Sequence, residues 1–327
     1  MFKLGDYEIN GRVILAPMAG YTFHSYRKFM SKFGASICYS EMVSDMGLIY
    51  DNDNTNEYVI FPKEEVPVGV QLFGSEPENL AKAVGICEGL NGKNIDFYDV
   101  NMACPVTKVT KTGAGSSLLK EPKRCGDIIR AMKAVTSKPV TAKIRLGLDK
   151  NTTNFLEVIK ELEEAGVDMI AIHARTAKEM YMGEPHFDLL KDLRSKMNVP
   201  LVISGNIFTA QDAVNALSIT GADAVMVARG GVGNPMLITN INRLLNGEKE
   251  INPSLEEQME YCKELAREIV EEKGEFIGIR LFRSIGPRFF NGFPYSKALK
   301  SRIVSQIVTY DDLERILREY KADEKIL

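Results

Sequence analysis

The chain has 327 residues, of which 45% are hydrophobic and 26% charged, and this balance excludes a disordered chain, a collagen and a coiled coil. Its 41 basic and 44 acidic residues give a net charge of −3, so the average charge does not indicate nucleic-acid binding. No apolar run approaches the roughly 18–20 residues of a membrane helix, and Asp6 and Glu8 stand where a signal peptide would be apolar. We therefore expect a cytoplasmic protein with no membrane partner.

Short runs rich in Val, Ile and aromatic residues recur along the first two thirds of the chain, each bounded by turn residues. Several are apolar almost throughout, which is typical of parallel strands that are covered on both faces. The predicted strands are VILA at 13–16, SICYSE at 36–41, VGVQLF at 68–73, IDFYDVN at 95–101, PVTAKIR at 139–145, DMIAIHA at 168–174, PLVISG at 200–205 and DAVMVAR at 223–229.

Helical patterns separate these strands. One helix is predicted to begin at Pro77, another at Thr152 or Thr153, and a third at Thr209, which is a good N-cap residue. Strands follow one another at intervals of about thirty residues, as βαβ units require. Eight such units predict an α/β fold, the (β/α)8 TIM barrel; an open doubly wound sheet is the alternative, but the Gly-rich fingerprint of that class is missing.

A polar connection, NGEKEINPS at 246–254, separates the barrel from a helical tail. Ser254 and Glu257 form a predicted capping box at the start of the next helix. Further helices are predicted at about 276–291, 297–308 and 312–321, so the tail should be a small C-terminal helical bundle. We expect a catalytic barrel at 1–246 and a helical domain at 247–327.

The predicted strands carry polar residues at their carboxyl ends, where barrels of this type place their chemistry. Lys143 lies in an apolar strand and should meet an anion, and His173 lies in register with Arg175. Glycine-containing turns at 204–206 and 228–235 suit a phosphate group, although they could be simple turns. The strand ends present Pro17 and Met18, Glu41, Gln71, Asn101, Lys143 and Arg145, His173 and Arg175, Gly205 and Asn206, and Arg229.

The five cysteines include no C-x-x-C pair, so we expect neither structural disulfides nor a metal site. Cys104 follows a strand and precedes Pro105, which places its thiol at the rim of the barrel, where it could act as an acid, base or nucleophile. The other four cysteines are expected to be buried.

Together these segments resemble the tRNA-dihydrouridine synthases, flavin enzymes that reduce specific uridines in tRNA. The similarity runs from about residue 14 to about residue 237, and the motifs follow in the family's order and spacing. They are APMAGYT at 16–22, EMVSDMGLIY at 41–50, QLFGSEP at 71–77, DVNMACPVTKVTKTGAGSSLL at 99–119, KIRLG at 143–147, HARTAKEMYMG at 173–183, SGNI at 204–207 and VARGGVGNP at 227–235. Ala103 and Ala228 stand where family members commonly have glycine.

The resemblance implies bound FMN, reduced by NADPH or NADH, and Cys104 as the proton donor to uracil. It implies that Asn101 and Arg145 contact the substrate and that His173 lies at the flavin, facing the uracil. It also implies that the partner is tRNA and not DNA, and that the enzyme is monomeric. The implied cofactor-binding residues are Pro17, Met18, Ala19, Gln71, Lys143, His173, Ser204, Gly205, Asn206, Ala228 and Arg229.

The tail could carry the tRNA contacts that the average charge conceals, because residues 280–310 include no Asp or Glu. We predict Arg280, Arg283 and Arg288 as substrate-binding residues there, with Arg175 on the barrel rim. The aromatic residues at 289–295 could stack on bases or could form the core of the bundle. Two other functions stay open: a flavin barrel acting on a free pyrimidine, as dihydroorotate dehydrogenases do, and a non-catalytic RNA-binding barrel.

Overall fold

The computed structural model describes residues 1–324 and contains an eight-stranded parallel sheet. The sheet order is β3-β10-β9-β8-β7-β6-β5-β4, and a parallel bridge between Ile14 and Ile37 joins its two ends. The predicted (β/α)8 barrel is confirmed. Its strands are β3 (Val13–Leu15), β4 (Cys38–Ser44), β5 (Val68–Phe73), β6 (Phe97–Met102), β7 (Val140–Arg145), β8 (Met169–His173), β9 (Leu201–Ser204) and β10 (Ala224–Val227), after a short hairpin of β1 (Phe2–Leu4) and β2 (Tyr7–Ile9).

Helices cover the outside of the sheet and form the tail. The capping boxes of Thr209 with Asp212 and of Ser254 with Glu257 are both present. The helices are α1 (His24–Ser31), α2 (Asp45–Ile49), α3 (Asp53–Asn56), α4 (Pro77–Asn91), α5 (Thr107–Thr110), α6 (Pro122–Lys133), α7 (Phe155–Glu164), α8 (Ala210–Thr220), α9 (Met236–Leu245), α10 (Leu255–Lys273), α11 (Glu275–Phe282), α12 (Ser296–Gln306) and α13 (Tyr310–Glu324).

The amino-terminal hairpin, which the sequence patterns did not predict, closes one end of the barrel. Phe2, Leu4 and Ile9 pack against inward-facing strand residues in a second apolar cluster, separate from the core between strands and helices. Tyr7 donates a hydrogen bond of 2.8 Å to Asp96, directly before β6. The hairpin therefore lies at the amino ends of the strands, and the carboxyl ends are left open.

Two helix predictions were wrong in detail. The helix predicted to begin at Thr152 or Thr153 has Asn154 at its N-cap. The helix predicted at 276–291 ends at Phe282 and is followed by a 3-10 segment, Gly286–Phe290. Phe289 and Phe290 are buried, which supports the interpretation of these two aromatic residues as bundle core. Gly286 accounts for the tight packing, since a Cβ atom there would lie 2.5 Å from the Phe282 ring.

The tail packs directly on the barrel through α10. The Gln258 amide donates to the carbonyl oxygens of Gly233 and Phe289 at 2.8 and 2.9 Å, which ties the loop after β10 to the tail. Glu272 accepts a hydrogen bond of 2.6 Å from the Ser25 backbone N–H. No helix among residues 1–324 is long and apolar enough to cross a membrane.

Candidate functional site

A cleft of about 870 Å³ opens at the carboxyl ends of the barrel strands. The predicted site residues that line the cleft are Pro17, Met18, Asn101, Cys104, Lys143, Arg145, His173, Ser204, Gly205, Asn206, Ala228 and Arg229. Those that do not line it are Ala19, Gln71, Arg175, Arg280, Arg283 and Arg288.

Lys143 brings a positive charge into the wall of the cleft. Burial and the nearby charge of Arg145 together lower the pKa of its ammonium group to about 8, although Asp99 and Cys104 act in the opposite direction. No side chain among residues 1–321 forms an ion pair or hydrogen bond with its Nζ atom. A partly buried cation without a counterion is costly, and a bound anion would relieve that cost.

His173 is held in its neutral form at the same wall. Burial lowers its pKa strongly, and the nearby charges of Lys143, Arg145, Arg175 and Arg229 lower it further. The Arg175 guanidinium lies 3.2 Å from His173 Nε2. Because a guanidinium can only donate, Nε2 accepts this hydrogen bond and the ring proton lies on Nδ1.

Arg145 and Arg175 hold the loop that follows β8. Arg145 donates to the carbonyl oxygens of Thr176 and Met180 at 2.9 and 2.8 Å. Arg175 is fully buried and donates to the carbonyl oxygens of Met182 and Gly183. Arg175, predicted to bind substrate at the rim, therefore supports this loop from behind the cleft.

The same loop carries Tyr181, which the sequence reasoning did not single out. The Tyr181 ring centroid lies 4.7 Å from the guanidinium carbon of Arg229 and 6.2 Å from the His173 ring. The Phe208 ring centroid lies 5.6 Å from the same guanidinium carbon. Two aromatic rings thus hold the Arg229 side chain at the edge of the cleft, with its hydrogen-bond donors available to an anion.

The turns after β9 and β10 bring backbone close to Arg229. Gly205 has φ +138° and Asn206 has φ +47°, conformations that favour glycine and asparagine. Gly230 lies so near the Ile207 carbonyl that a Cβ atom would be 2.1 Å from its oxygen. The close packing of these two turns against Arg229 suits a phosphate group.

Cys104 lies across the cleft on the loop after β6. It is half-buried, whereas Cys38, Cys87, Cys125 and Cys262 are buried. The Asn101 side-chain oxygen accepts hydrogen bonds from the backbone N–H groups of Ala103 and Cys104 at 3.1 and 2.8 Å. These two bonds fix the turn that presents the thiol.

Gln71 lies behind the cleft, although the resemblance places it at the flavin. Its side chain is fully buried, and both ends of its amide are hydrogen-bonded, to Asp99 at 2.6 Å and to Asn101 at 2.8 Å. Gln71 can therefore affect the cleft only indirectly, through its hydrogen bond to Asn101.

The predicted tail arginines differ in their surroundings. Arg280 and Arg288 are exposed, and Arg288 lies 6.0 Å from the Tyr21 ring. Arg283 is half-buried and donates two hydrogen bonds to the Ile307 carbonyl, which links α11 to the residue after α12. A second groove, about 1320 Å³, shares Phe208 and Arg229 with the cleft and extends to Arg288.

The fold and the cleft define a (β/α)8-barrel protein with a cationic site at the carboxyl ends of its strands. The sequence profile of the dihydrouridine synthase family matches residues 14–324. The chain therefore belongs to the dihydrouridine synthase family, which confirms the resemblance of its motifs.

Individual relatives support the same family membership. The chain is 33% identical over 305 residues to a Rickettsia conorii protein named "Probable tRNA-dihydrouridine synthase", covering 93% of this chain and 91% of the relative. It is 33% identical to tRNA-dihydrouridine synthase B of Pasteurella multocida, covering 86% and 84%. The solved structure of an old yellow enzyme homologue from Zymomonas mobilis is similar with a TM-score of 0.52 and 13% identity, over 78% of this chain and 94% of that one, and it shows the barrel fold alone.

Proposed function

We propose that this protein reduces uridines in tRNA to 5,6-dihydrouridine, with FMN as the bound cofactor and NADPH or NADH as the reductant. The observation that carries the proposal is that the half-buried Cys104 thiol and the unpaired Lys143 cation line the same cleft in a member of this family. We further propose that the protein is a monomer and that it acts in the cytoplasm on tRNA and not on DNA.

The residues present fit a flavin mononucleotide. Arg229 and the turns at 204–206 and 228–230 would hold its phosphate, and Pro17 and Met18 would contact its ring. Lys143 would lie at the edge of the flavin that becomes anionic on reduction, where a fixed cation stabilises the charge. Gln71, Ala19 and Ala228 stay predictions for this site from the family resemblance.

The remaining cleft residues suit proton transfer to uracil. FMN, once reduced by NADPH or NADH, would supply a hydride to uracil C6, and Cys104 would donate its thiol proton to C5, so that the C5–C6 double bond is reduced. Neutral His173 and the cationic Arg145 would hydrogen-bond the uracil carbonyl oxygens and stabilise the negative charge that develops there. Asn101, whose oxygen fixes the Cys104 turn, would act mainly by positioning.

The groove beside the cleft favours a polynucleotide over a free pyrimidine. It continues from Arg229 to Arg288 and the tail, which a small metabolite would not need. The boundary between the barrel and a tRNA-recognition domain, at 246/247, belongs to the same proposal.

A reconstitution experiment tests the proposal. The purified protein should be yellow, should release FMN on denaturation, and should be reduced by NADPH or NADH without oxygen. Unmodified tRNA should then reoxidise the flavin and gain 2 Da at a specific uridine, whereas free uracil or orotate should not. Protein that neither contains nor binds FMN would rule out the flavin chemistry, and turnover of orotate instead of tRNA would favour the free-pyrimidine enzyme.

The exposed tail arginines predict where tRNA binds. Reversing Arg280 and Arg288 to Glu should weaken tRNA binding and flatten its dependence on salt, because fewer counterions are released from the phosphates. Each phosphate contact contributes roughly one unit to the logarithmic salt slope. Arg283 is left unchanged in this variant, since its hydrogen bonds to Ile307 make it part of the fold of the tail. Binding is measured by filter retention at several salt concentrations.

The matched control reverses Lys3 and Lys93, two exposed lysines at the amino ends of the strands. It makes the same change in charge on the closed end of the barrel and should leave tRNA binding almost unchanged. Equal loss in both variants would mean that net charge alone governs binding, and no loss in either would place the tRNA surface elsewhere.

A further inference from the structure

A continuous series of hydrogen bonds runs from a buried carboxylate to the turn that carries Cys104. Asp99 is fully buried in β6 and accepts hydrogen bonds from the Thr141 hydroxyl and, at 2.6 Å, from the Gln71 amide nitrogen. The Gln71 oxygen accepts from the Asn101 amide nitrogen at 2.8 Å. The Asn101 oxygen accepts from the backbone N–H groups of Ala103 and Cys104. Along this series, from the loop through Asn101 and Gln71 to Asp99, each group donates a hydrogen bond to the next.

The two ends of the series fix the orientation of both amides. An ionised carboxylate can only accept, so Gln71 must turn its NH2 group to Asp99 and its oxygen to Asn101. Backbone N–H groups can only donate, so Asn101 must turn its oxygen to the loop and its NH2 group to Gln71. Both requirements agree, and every donor has an acceptor. If the acceptor at position 99 were removed, either amide could turn over, and Asn101 would then face the N–H groups of the loop with its own NH2 group.

We propose that Asp99 is a positioning residue that, through Gln71 and Asn101, holds the loop at 103–105 and thereby fixes the Cys104 thiol in the cleft. Asp99 does not line the cleft and so acts only through its neighbours. What the fixed thiol does in catalysis rests on the proposed function, but the positioning itself can be measured without substrate.

Three variants test this role in the purified holoprotein. Asp99→Leu removes the acceptor, Asp99→Asn keeps an acceptor oxygen for Gln71, and Gln71→Met breaks the series one step later. The matched control is Thr141→Val, which removes a hydrogen bond to the carboxylate oxygen that Gln71 does not use. Thermal melting establishes that each variant is folded.

The first measurement is the rate of alkylation by iodoacetamide. Because the other four cysteines are buried, this rate reports on Cys104. Asp99→Leu and Gln71→Met should raise it about tenfold, as expected when the loss of a buried hydrogen bond makes the loop open more often. Asp99→Asn and Thr141→Val should stay close to the unaltered protein.

The second measurement separates the two half-reactions. Asp99→Leu should slow dihydrouridine formation about 10²-fold, the typical effect of a catalytic group misplaced by about 1 Å. Reduction of the flavin by NADPH should be unchanged, and Asp99→Asn should restore most of the tRNA activity.

Unchanged alkylation in both folded Asp99→Leu and folded Gln71→Met would overturn the proposal, as would an equal increase in Thr141→Val. If Asp99→Leu does not fold, Gln71→Met decides alone through its alkylation rate. If the unaltered protein forms no dihydrouridine, the proposed function fails, yet the alkylation rates still decide whether Asp99 positions Cys104.

Discussion

Replacing Cys104 by alanine is expected to reduce dihydrouridine formation by about 10²- to 10⁴-fold, the usual contribution of a positioned general acid. In the proposed reaction, the thiol is needed only when the hydride has already reached the uracil and a proton must be supplied at C5. Reduction of the flavin by NADPH should therefore continue at the rate of the unaltered protein. Both half-reactions are measured anaerobically by stopped-flow absorbance of the flavin.

The control for this prediction is Cys87→Ala, the same substitution at a fully buried cysteine outside the cleft. It should leave both half-reactions unchanged. If Cys104→Ala slows dihydrouridine formation by less than tenfold, Cys104 contributes to packing and not to proton transfer. If both half-reactions slow together, the flavin site has been disrupted.

Replacing Lys143 by methionine is expected to lower flavin occupancy or to slow flavin reduction about 10²- to 10³-fold, the effect of removing one preorganised electrostatic group. The pKa of Lys143 predicts a specific pH dependence. Its ammonium group loses its charge as the pH rises through about 8, so FMN affinity of the flavin-free protein should fall across that range. The variant should bind FMN weakly at every pH, which fluorescence quenching can measure.

The stability of the flavin-free protein should change in the opposite direction. Because the pKa of Lys143 is lowered in the folded state, its charged form destabilises the fold, and this penalty is complete below about pH 8. It diminishes as the pH rises towards the roughly 10.4 of an unfolded lysine. Lys143→Met should therefore raise the melting temperature at pH 7. Lys108→Met, at an exposed rim position, is the control and should alter neither quantity. A lower melting temperature in Lys143→Met would contradict the interpretation that the charged Lys143 destabilises the flavin-free protein because it lacks a counterion.

The barrel was predictable from sequence because its strands are buried on both faces. Runs such as DMIAIHA and PLVISG have few alternatives to a parallel strand when helical patterns separate them at regular intervals. The position of the cleft followed from the same fact, since the carboxyl ends of all eight strands meet at one end of a barrel. Cys104, Lys143 and His173 were found in this way, and all three line the cleft.

What the sequence could not supply is the direction of a side chain and the neighbours that use its hydrogen bonds. Gln71 and Arg175 stand near strand ends as expected, but Gln71 is bonded to Asp99 and Asn101 and Arg175 to the loop after β8. Tyr181 reaches the cleft because that loop folds back over it, a long-range contact that no local pattern encodes. Asp99 is one of two polar residues within β6, and only the structure shows that its carboxylate is bonded to Gln71 on β5 and Thr141 on β7.

Mass mapping of dihydrouridine in cellular tRNA tests the central claim most directly. The comparison uses a strain from which the gene has been deleted, its parent, and the deletion strain supplied with either the unaltered gene or the Cys104→Ala variant. We predict that at least one tRNA position is dihydrouridine in the parent and uridine in the deletion strain, and that the unaltered gene restores it but the variant does not. Identical dihydrouridine at every tRNA position in the parent and the deletion strain would contradict the assignment of this protein as a tRNA-modifying reductase.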